Sequence, residues 1–265
     1  MACRESSTDF LRELGYTPIQ LPRERINPLD LIGKLSGGGR ARQLGSLTKL
    51  VVGDAPAPGI ARDEAVGQVS GKKTDKLDIG IGLNLLAKFF SALGVVSASV
   101  GAAFARARQL EFHYEDVRSD SVEIVDLRGY LGKRPSLDPN NPVVDDYFIG
   151  DGQVVVITRT LKSTGFGVAA SDEKGNKVDI DVDMLSQDLA KAGVNASKES
   201  EMKVSFKGNT PLVFAFQGLL LRIDTGGLKV ADDVPAEFGI FAAPPAAPGE
   251  VRPVVLSRDG LLRLD

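Results

Sequence analysis

Few side chains in this 265-residue chain are of types and at spacings that do chemistry. There is one Cys, Cys3, and one His, His113. A single Cys makes neither an internal disulfide nor a multi-Cys zinc site, and a lone His beside it excludes a His-rich metal centre. His113 lies in Glu111-Phe112-His113-Tyr114-Glu115 on the polar parity of a strand, where a solvated or hydrogen-bonded imidazole is expected rather than a catalytic one. Gly67, Gly71, Lys72, Lys73 and Thr74 resemble a phosphate loop, but the spacing is one residue short and no apolar strand precedes them. Gly165 and Gly167 lack the third glycine of a dinucleotide fingerprint and read as a strand tip. Asp179, Asp181 and Asp183 share one strand face, without the glycine turn of a calcium loop. Cys3 reads either as a dispensable surface thiol or as a site of thioester acylation, which needs no catalytic partner from the fold. No enzyme, metal site or cofactor is expected.

Composition excludes further classes. Lys and Arg (32) nearly balance Asp and Glu (35), so there is no global electrostatic footprint for nucleic acid. The N-terminus, MACRESSTDF, has no apolar core of a secretory signal, which predicts a protein that starts in the cytoplasm. The most membrane-like passage, Leu83 to Ala105, is broken by Lys88 and is too rich in Ser, Gly and Ala for a spanning helix. At 43% apolar residues the chain is long enough to hold itself together by burial alone.

The elements that must position these residues follow from period. Ser7 or Thr8 caps a predicted helix through Leu14, with Gly15 as its stop. A short strand, a Pro-bounded turn and a second short element fill Tyr16 to Leu31, and an apolar run follows at Leu47–Val52. Strict alternation then dominates. In Lys76–Leu85 the apolar face is Leu77, Ile79, Ile81 and Leu83; in Val95–Ala105 it is Val96, Ala98 and Val100; between them lies an apolar helix over Leu85–Leu93. A second unit repeats this order. Val154–Thr164 is a strand, Lys177–Met184 alternates through Val178, Ile180 and Val182, and a helix through Leu189 ends at Gly193. Met202, Val204 and Phe206 form a further apolar face over Glu201–Lys207, followed by the apolar strand Leu212–Ile223.

Such segments are ordinary half-buried strands, or strands with the roughly 9–11-residue length of a membrane barrel wall. Two strand pairs, each storing a short helix, could unroll into two membrane hairpins. The composition changes after residue 234. Residues 235–250 are rich in Pro and Ala and read as a linker containing the probable cleavage region; 251–265 form a tail carrying Leu256, Leu261, Leu262 and Leu264. Residues 1–234 are the body.

Met-Ala-Cys3 before a short helix, Leu14-Gly15-Tyr16-Thr17-Pro18-Ile19, two helix-interrupted amphipathic hairpins and an apolar tail behind a linker together resemble a bacterial gasdermin. The resemblance covers essentially the whole chain and rests on the order of its parts. It implies an α+β fold, a twisted and largely antiparallel sheet with flanking helices that converts to membrane β-hairpins on activation. It implies an autoinhibited pore-former whose tail is cut off by a caspase-like or other protease. The body, a monomer before cleavage, would then assemble as a homo-oligomer with membrane lipids into a large inner-membrane pore that kills the cell as anti-phage defence. It also implies a palmitoyl group on Cys3. The competing readings are a soluble α+β binding or scaffold module with a partner-regulated tail, and a hydrolase with unrecognised carboxylates.

Overall fold

The structure is a computed structural model. It describes residues 11–35, 40–53, 55–66, 75–78, 86, 90, 103–133, 136–138, 140–150, 152–181, 189, 194–200, 203–224, 227–231, 241–242, 253–256 and 262–264. The strands are β1 (Thr17–Arg23), β2 (Asp30–Leu35), β3 (Arg42–Ser46), β4 (Val51–Val52), β5 (Ile60–Ala65), β6 (Asp75–Asp78), β7 (Gln109–Glu115), β8 (Arg118–Val122) and β9 (Ser136–Leu137). They continue as β10 (Gly152–Ser171), β11 (Lys177–Val178), β12 (Asn195–Ser200), β13 (Lys203–Asp224), β14 (Gly227–Val230), β15 (Phe241–Ala242) and β16 (Val254–Val255). The α-helices described with both ends, α1 (Leu47–Leu50) and α2 (Ile124–Gly132), and a π-helical turn at Val144–Ile149 flank them, and residues 11–13, 86, 90, 103 and 189 are also helical. Fourteen of these strands form one sheet, and every pairing between named strands is antiparallel. This is the expected α+β class.

Two strands organise the rest. β10 spans 20 residues and β13 spans 22, so each runs about 65 Å at about 3.3 Å per residue. They pair along most of their length, with register shifts between Ile157 and Arg159, Leu161 and Lys162, and Ser163 and Gly165. The first and last of these shifts divide the sheet into three tiers, and the middle one falls inside the second. The first tier is β3-β2-β10-β13-β14, the second β5-β8-β10-β13-β1, and the third β6-β7-β10-β13-β12. Both faces of the long strands are covered, which is why they read as near-continuous apolar runs. Alternation still sorts their side chains. Val154 and Val156 enter one core with Leu127, Leu131, Leu219 and Leu221; Val155 and Ile157 enter another on the opposite face with Phe216 and Leu220.

Several boundaries differ from expectation. The described part of Glu201–Lys207, from Lys203 on, and Leu212–Ile223 are parts of the single strand β13, and Val154–Thr164 extends at both ends into β10. The apolar run at Leu47–Val52 splits into α1 and β4, because Leu47 and Leu50 are spaced to reach one core from one side of a helical turn. Within the described part of Lys177–Met184, residues 177–181, only Lys177–Val178 is a strand. There β11 pairs with Ser171 and Ala170, but the next position on that edge, Ala169, is already paired with Lys203 of β13. Ile180 therefore leaves the ladder and is buried in a core, while Asp181 N–H donates to the Ala103 carbonyl. At the described end of Val95–Ala105, Ala103 is helical and 104–106 form a turn. Ala103, Phe104 and Ala107 all face one core, and Ala107 N–H donates to Phe104 C=O, which is a helical rather than an alternating arrangement. Gly165 and Gly167 lie inside β10, not at its tip. A Cβ on Gly165 would stand 2.9 Å from the Phe206 carbonyl oxygen, so the close approach of β10 to β13 requires glycine there.

The N-terminal helix stop is as expected. Gly15 adopts φ +79, its N–H donates to Arg12 C=O, and Tyr16 N–H donates to Leu11 C=O, the paired bonds of a left-handed helix cap.

Candidate functional site

The described part of the tail is built into the body. Val254 pairs with Gly218 of β13, at the end of the edge that β1 occupies along Val213–Phe216. A Cβ on Gly218 would lie 2.4 Å from Val155 Cγ1, so the strand beneath the tail is packed to its limit. Phe241 and Ala242, inside the segment read as a linker, pair with Val255 and Val254. Leu256 N–H donates to the hydroxyl of Thr17, itself fully buried, and the Leu256 carbonyl accepts from Lys34 Nζ at 3.5 Å. Burial lowers the Lys34 pKa from its ordinary value. Farther along, Leu262 N–H donates to Pro18 C=O at 2.9 Å and Leu262 C=O accepts from Gln20 N–H at 2.8 Å. Arg23 donates through its guanidinium to the Leu264 carbonyl. Ile19 and Leu262 form one parallel bridge, Ala41 and Leu264 another.

These contacts place Val254, Leu256, Leu262 and Leu264 in the same buried cluster as Ile19, Ile26, Ile32, Val155, Ile157 and Phe216. Each is at most 7% exposed. The tail is part of the core of the first two tiers, and the body would lose apolar contacts on both sides of β1 without it. Leu261 lies outside the described residues.

A different core fills the third tier. Helical Leu86 and Phe90, one turn apart, and helical Leu189 are buried against Phe166, Val168, Val204, Phe206 and Leu212. The Phe90 ring sits 5.9 Å from Phe166 and 5.1 Å from Phe206, the latter edge-on at 75°. The segment between β6 and β7 is thereby clamped onto the strands that flank the second helical segment. Leu77 pairs with Leu110 in the β6-β7 ladder, and Val178 packs against this core from β11. Val204 and Phe206 are buried on β13. Cys3, Ile79, Ile81, Leu83, Val96, Ala98, Val100, Val182 and Met202 lie outside the described residues.

The middle tier carries a charged cluster that periodicity gave no reason to suspect. Lys162 Nζ stands 2.7 Å from Asp120 Oδ1 and 2.7 Å from Asp63 Oδ1, with Lys162 and Asp120 both nearly buried. Arg62 lies 3.2 Å from the other Asp120 oxygen. Asp63 occupies a left-handed conformation at φ 56 inside a register shift of β5, and its N–H donates to Asp120 Oδ1. Burial alone would lower the Lys162 pKa, but the hydrogen bonds and charges of Asp120 and Asp63 outweigh it and the value is raised. Lys162 in turn holds Asp63 below the usual carboxylate range. The signal in the sequence was Arg62-Asp63-Glu64 opposite Ser119-Asp120-Ser121, legible only once the β5-β8 register is known.

Of the aspartates on Lys177–Met184, Asp179 pairs with Lys198 at 2.7 Å and Asp183 lies outside the described residues; among the described residues no group of three acidic, His or Cys side chains could hold a metal. No described helix is long and apolar enough to cross a membrane, which says nothing of strands.

Residues 19–228 match the model of the Bacterial Gasdermin Family. The chain is 34% identical over 268 residues to gasdermin bGSDM of Vitiosangium sp. (strain GDMCC 1.1324), covering 99% of this chain and 98% of that protein. It is 26% identical to gasdermin bGSDM of a Desulfuromonadales bacterium over 100% and 99% of the two chains. Its fold is similar to the structure of a bacterial gasdermin from Bradyrhizobium tropiciagri, with a TM-score of 0.68 at 19% identity over 99% of this chain and 97% of that one. With the family match spanning most of the sheet and similarity at full length on both sides, the chain belongs to the bacterial gasdermin family, whose members form pores rather than catalyse reactions.

Proposed function

We propose that this chain is the resting form of a pore-former that a protease, caspase-like or other, activates by cutting within 235–250 and releasing the inhibitory segment 251–265. The freed bodies assemble into a large pore in the inner membrane, and the loss of membrane integrity kills the cell as a defence against phage. The intact protein is cytoplasmic and monomeric. A palmitoyl group on Cys3 adds membrane affinity; a single acyl chain gives only marginal attachment, so it assists insertion and does not replace it.

One observation carries this reading: Val254, Leu256, Leu262 and Leu264 complete a core that the body shares with them. Burying such side chains favours docking by about 1.5–3 kcal/mol each, against an ordering cost of about 1–2 kcal/mol per tail residue. The two sums are comparable, so the tail stays docked chiefly because it is tethered at high effective concentration. Cutting the tether lets it leave without any change in the body. Truncation at Phe238 is expected to make the protein toxic in cells and able to release dye from liposomes, whereas the full chain releases none. Liposomes that stay sealed after complete removal of the tail overturn the proposal.

A further inference from the structure

The tail does more than cover apolar surface. The pairings β3-β2, β2-β10, β10-β13 and β13-β1 are all antiparallel, so β3, β10 and β1 run one way and β2 and β13 the other. Five alternating strands cannot close on themselves without a seam at which two strands run parallel. The tail lies in that seam. Leu262 bridges Ile19 of β1 and Leu264 bridges Ala41, the residue before β3, and both bridges are parallel. Residues 262–264 are the closing stave of a circuit β3-β2-β10-β13-β1-tail, and its inward side chains are the shared core of Ile19, Ile32, Val155, Phe216, Leu262 and Leu264.

Withdrawing a stave leaves two strand edges. On β1 they are the Pro18 carbonyl and the Gln20 N–H that the tail now satisfies; on the other side is the backbone around Ala41. Exposed strand edges are templates for another strand. Both edges accept a partner running parallel to them, as the tail does. In a ring of copies related by rotation about an axis along the strands, β1 of one copy and β3 of the next also run the same way. Such a contact is heterologous, so each copy offers both halves and the assembly propagates until it closes.

We infer that the seam vacated by the tail is the pairing site for a second copy of this chain, the β1 edge around Gln20 of one copy adding to the Ala41–Arg42 edge of its neighbour, so that the tail occupies in the resting protein the place of a neighbour's strand. This rests on the pore reading above. It goes further in naming which edges meet, in which direction, and why a peptide this short blocks assembly. Closure of the seam within one copy instead would require the edges to move together by one strand spacing, about 4.8 Å, across a core that contains Phe216.

The test uses the full chain with Cys3→Ser and a site-specific protease sequence placed in 243–250. One preparation carries Gln20→Cys, another Arg42→Cys. Mixed, cleaved with liposomes present and oxidised, they are expected to give disulfide dimers, while either alone, or the uncleaved mixture, gives none. A chain carrying both substitutions is expected to give a ladder of higher oligomers. Leakage and oligomers without dimers in the mixture overturn the inference while leaving the pore reading intact, as does a disulfide formed within one copy of the double variant. Sealed liposomes after full cleavage overturn the pore reading itself. Should the cysteines unfold the resting protein, hydrogen exchange on the otherwise unsubstituted cleaved oligomer decides: the Gln20 amide is expected to stay protected although the Leu262 carbonyl is gone, and loss of that protection overturns the inference.

Discussion

Lys162 is the charged residue around which the second tier is organised. Its ammonium is held between Asp120 and Asp63 in a nearly dry part of the second tier. Without it the buried Asp120 keeps only the half-exposed Arg62 and the Asp63 N–H, so Lys162→Met is expected to destabilise the intact protein by about 1.5–3 kcal/mol, the range for hydrogen bonds to charged groups, read by chemical denaturation at neutral pH. The pH dependence has a definite sign. Because the Lys162 pKa is raised in the fold, its contribution is full below the ordinary lysine value of 10.5 and is lost as pH rises through the raised native value. Asp63 is depressed, so its contribution is present above the ordinary 3.8 and is lost as pH falls through the lower native value. The stability gap between parent and variant should therefore be flat through the neutral range and shrink at both extremes; a gap that varies between those limits would contradict the assignment. Cys3 belongs to this scale as well. Cys3→Ala is expected to weaken killing while leaving the melting temperature unchanged, and an unmodified Cys3 in the intact mass of the protein from its native host would argue against acylation.

Among the elements, the third-tier core is expected, on the proposed pore reading, to set how readily the third tier opens. Phe90 is fully buried and touches both Phe166 and Phe206, so one ring ties the segment after β6 to both long strands. Phe90→Ala is expected to cost the resting fold about 3–5 kcal/mol and, after cleavage, to shorten the lag before liposome leakage; Phe90→Leu should do less of both. An unchanged lag with a lowered melting temperature would show that this core limits stability and not insertion. The sequence pattern carried much of this. Alternation in Val204–Phe206 and the i, i+4 spacing of Leu86 and Phe90 reflect which faces are wet, and that is a local property. It held at Val178 and misled beyond it, at Ile180, where the pattern continued but the next ladder position was already taken by Lys203. The Leu262 and Leu264 spacing marked the tail as apolar, yet its parallel bridges to Ile19 and Ala41 are contacts over more than 200 residues of chain that no local period encodes. The same holds for Lys162, whose partners are brought to it by the β8-β10 ladder and by the register shift at Asp63.

At the scale of the whole molecule, the two long strands make every tier depend on the same pair of backbones. The seam residues Thr17 and Gly218 and the third-tier residue Phe206 all belong to or pair with β13, so loss of the tail and release of the third tier would be events on one continuous strand. Two register shifts between β10 and β13, at Ile157/Arg159 and Ser163/Gly165, interrupt that continuity at the tier boundaries. Where a ladder slips, neighbouring amides lose the mutual support that makes opening cooperative, so the sheet should open in segments. Native-state hydrogen exchange on the intact protein is expected to resolve three groups of β10 amides, with 154–157, 159–163 and 165–169 each sharing an opening free energy that differs from its neighbours'. A single shared value would mean that the slips are mechanically silent. If the groups are distinct, the third can come apart and refold in a membrane while the first two hold their shape, and the bulges act as the perforations along which one rigid scaffold is designed to tear.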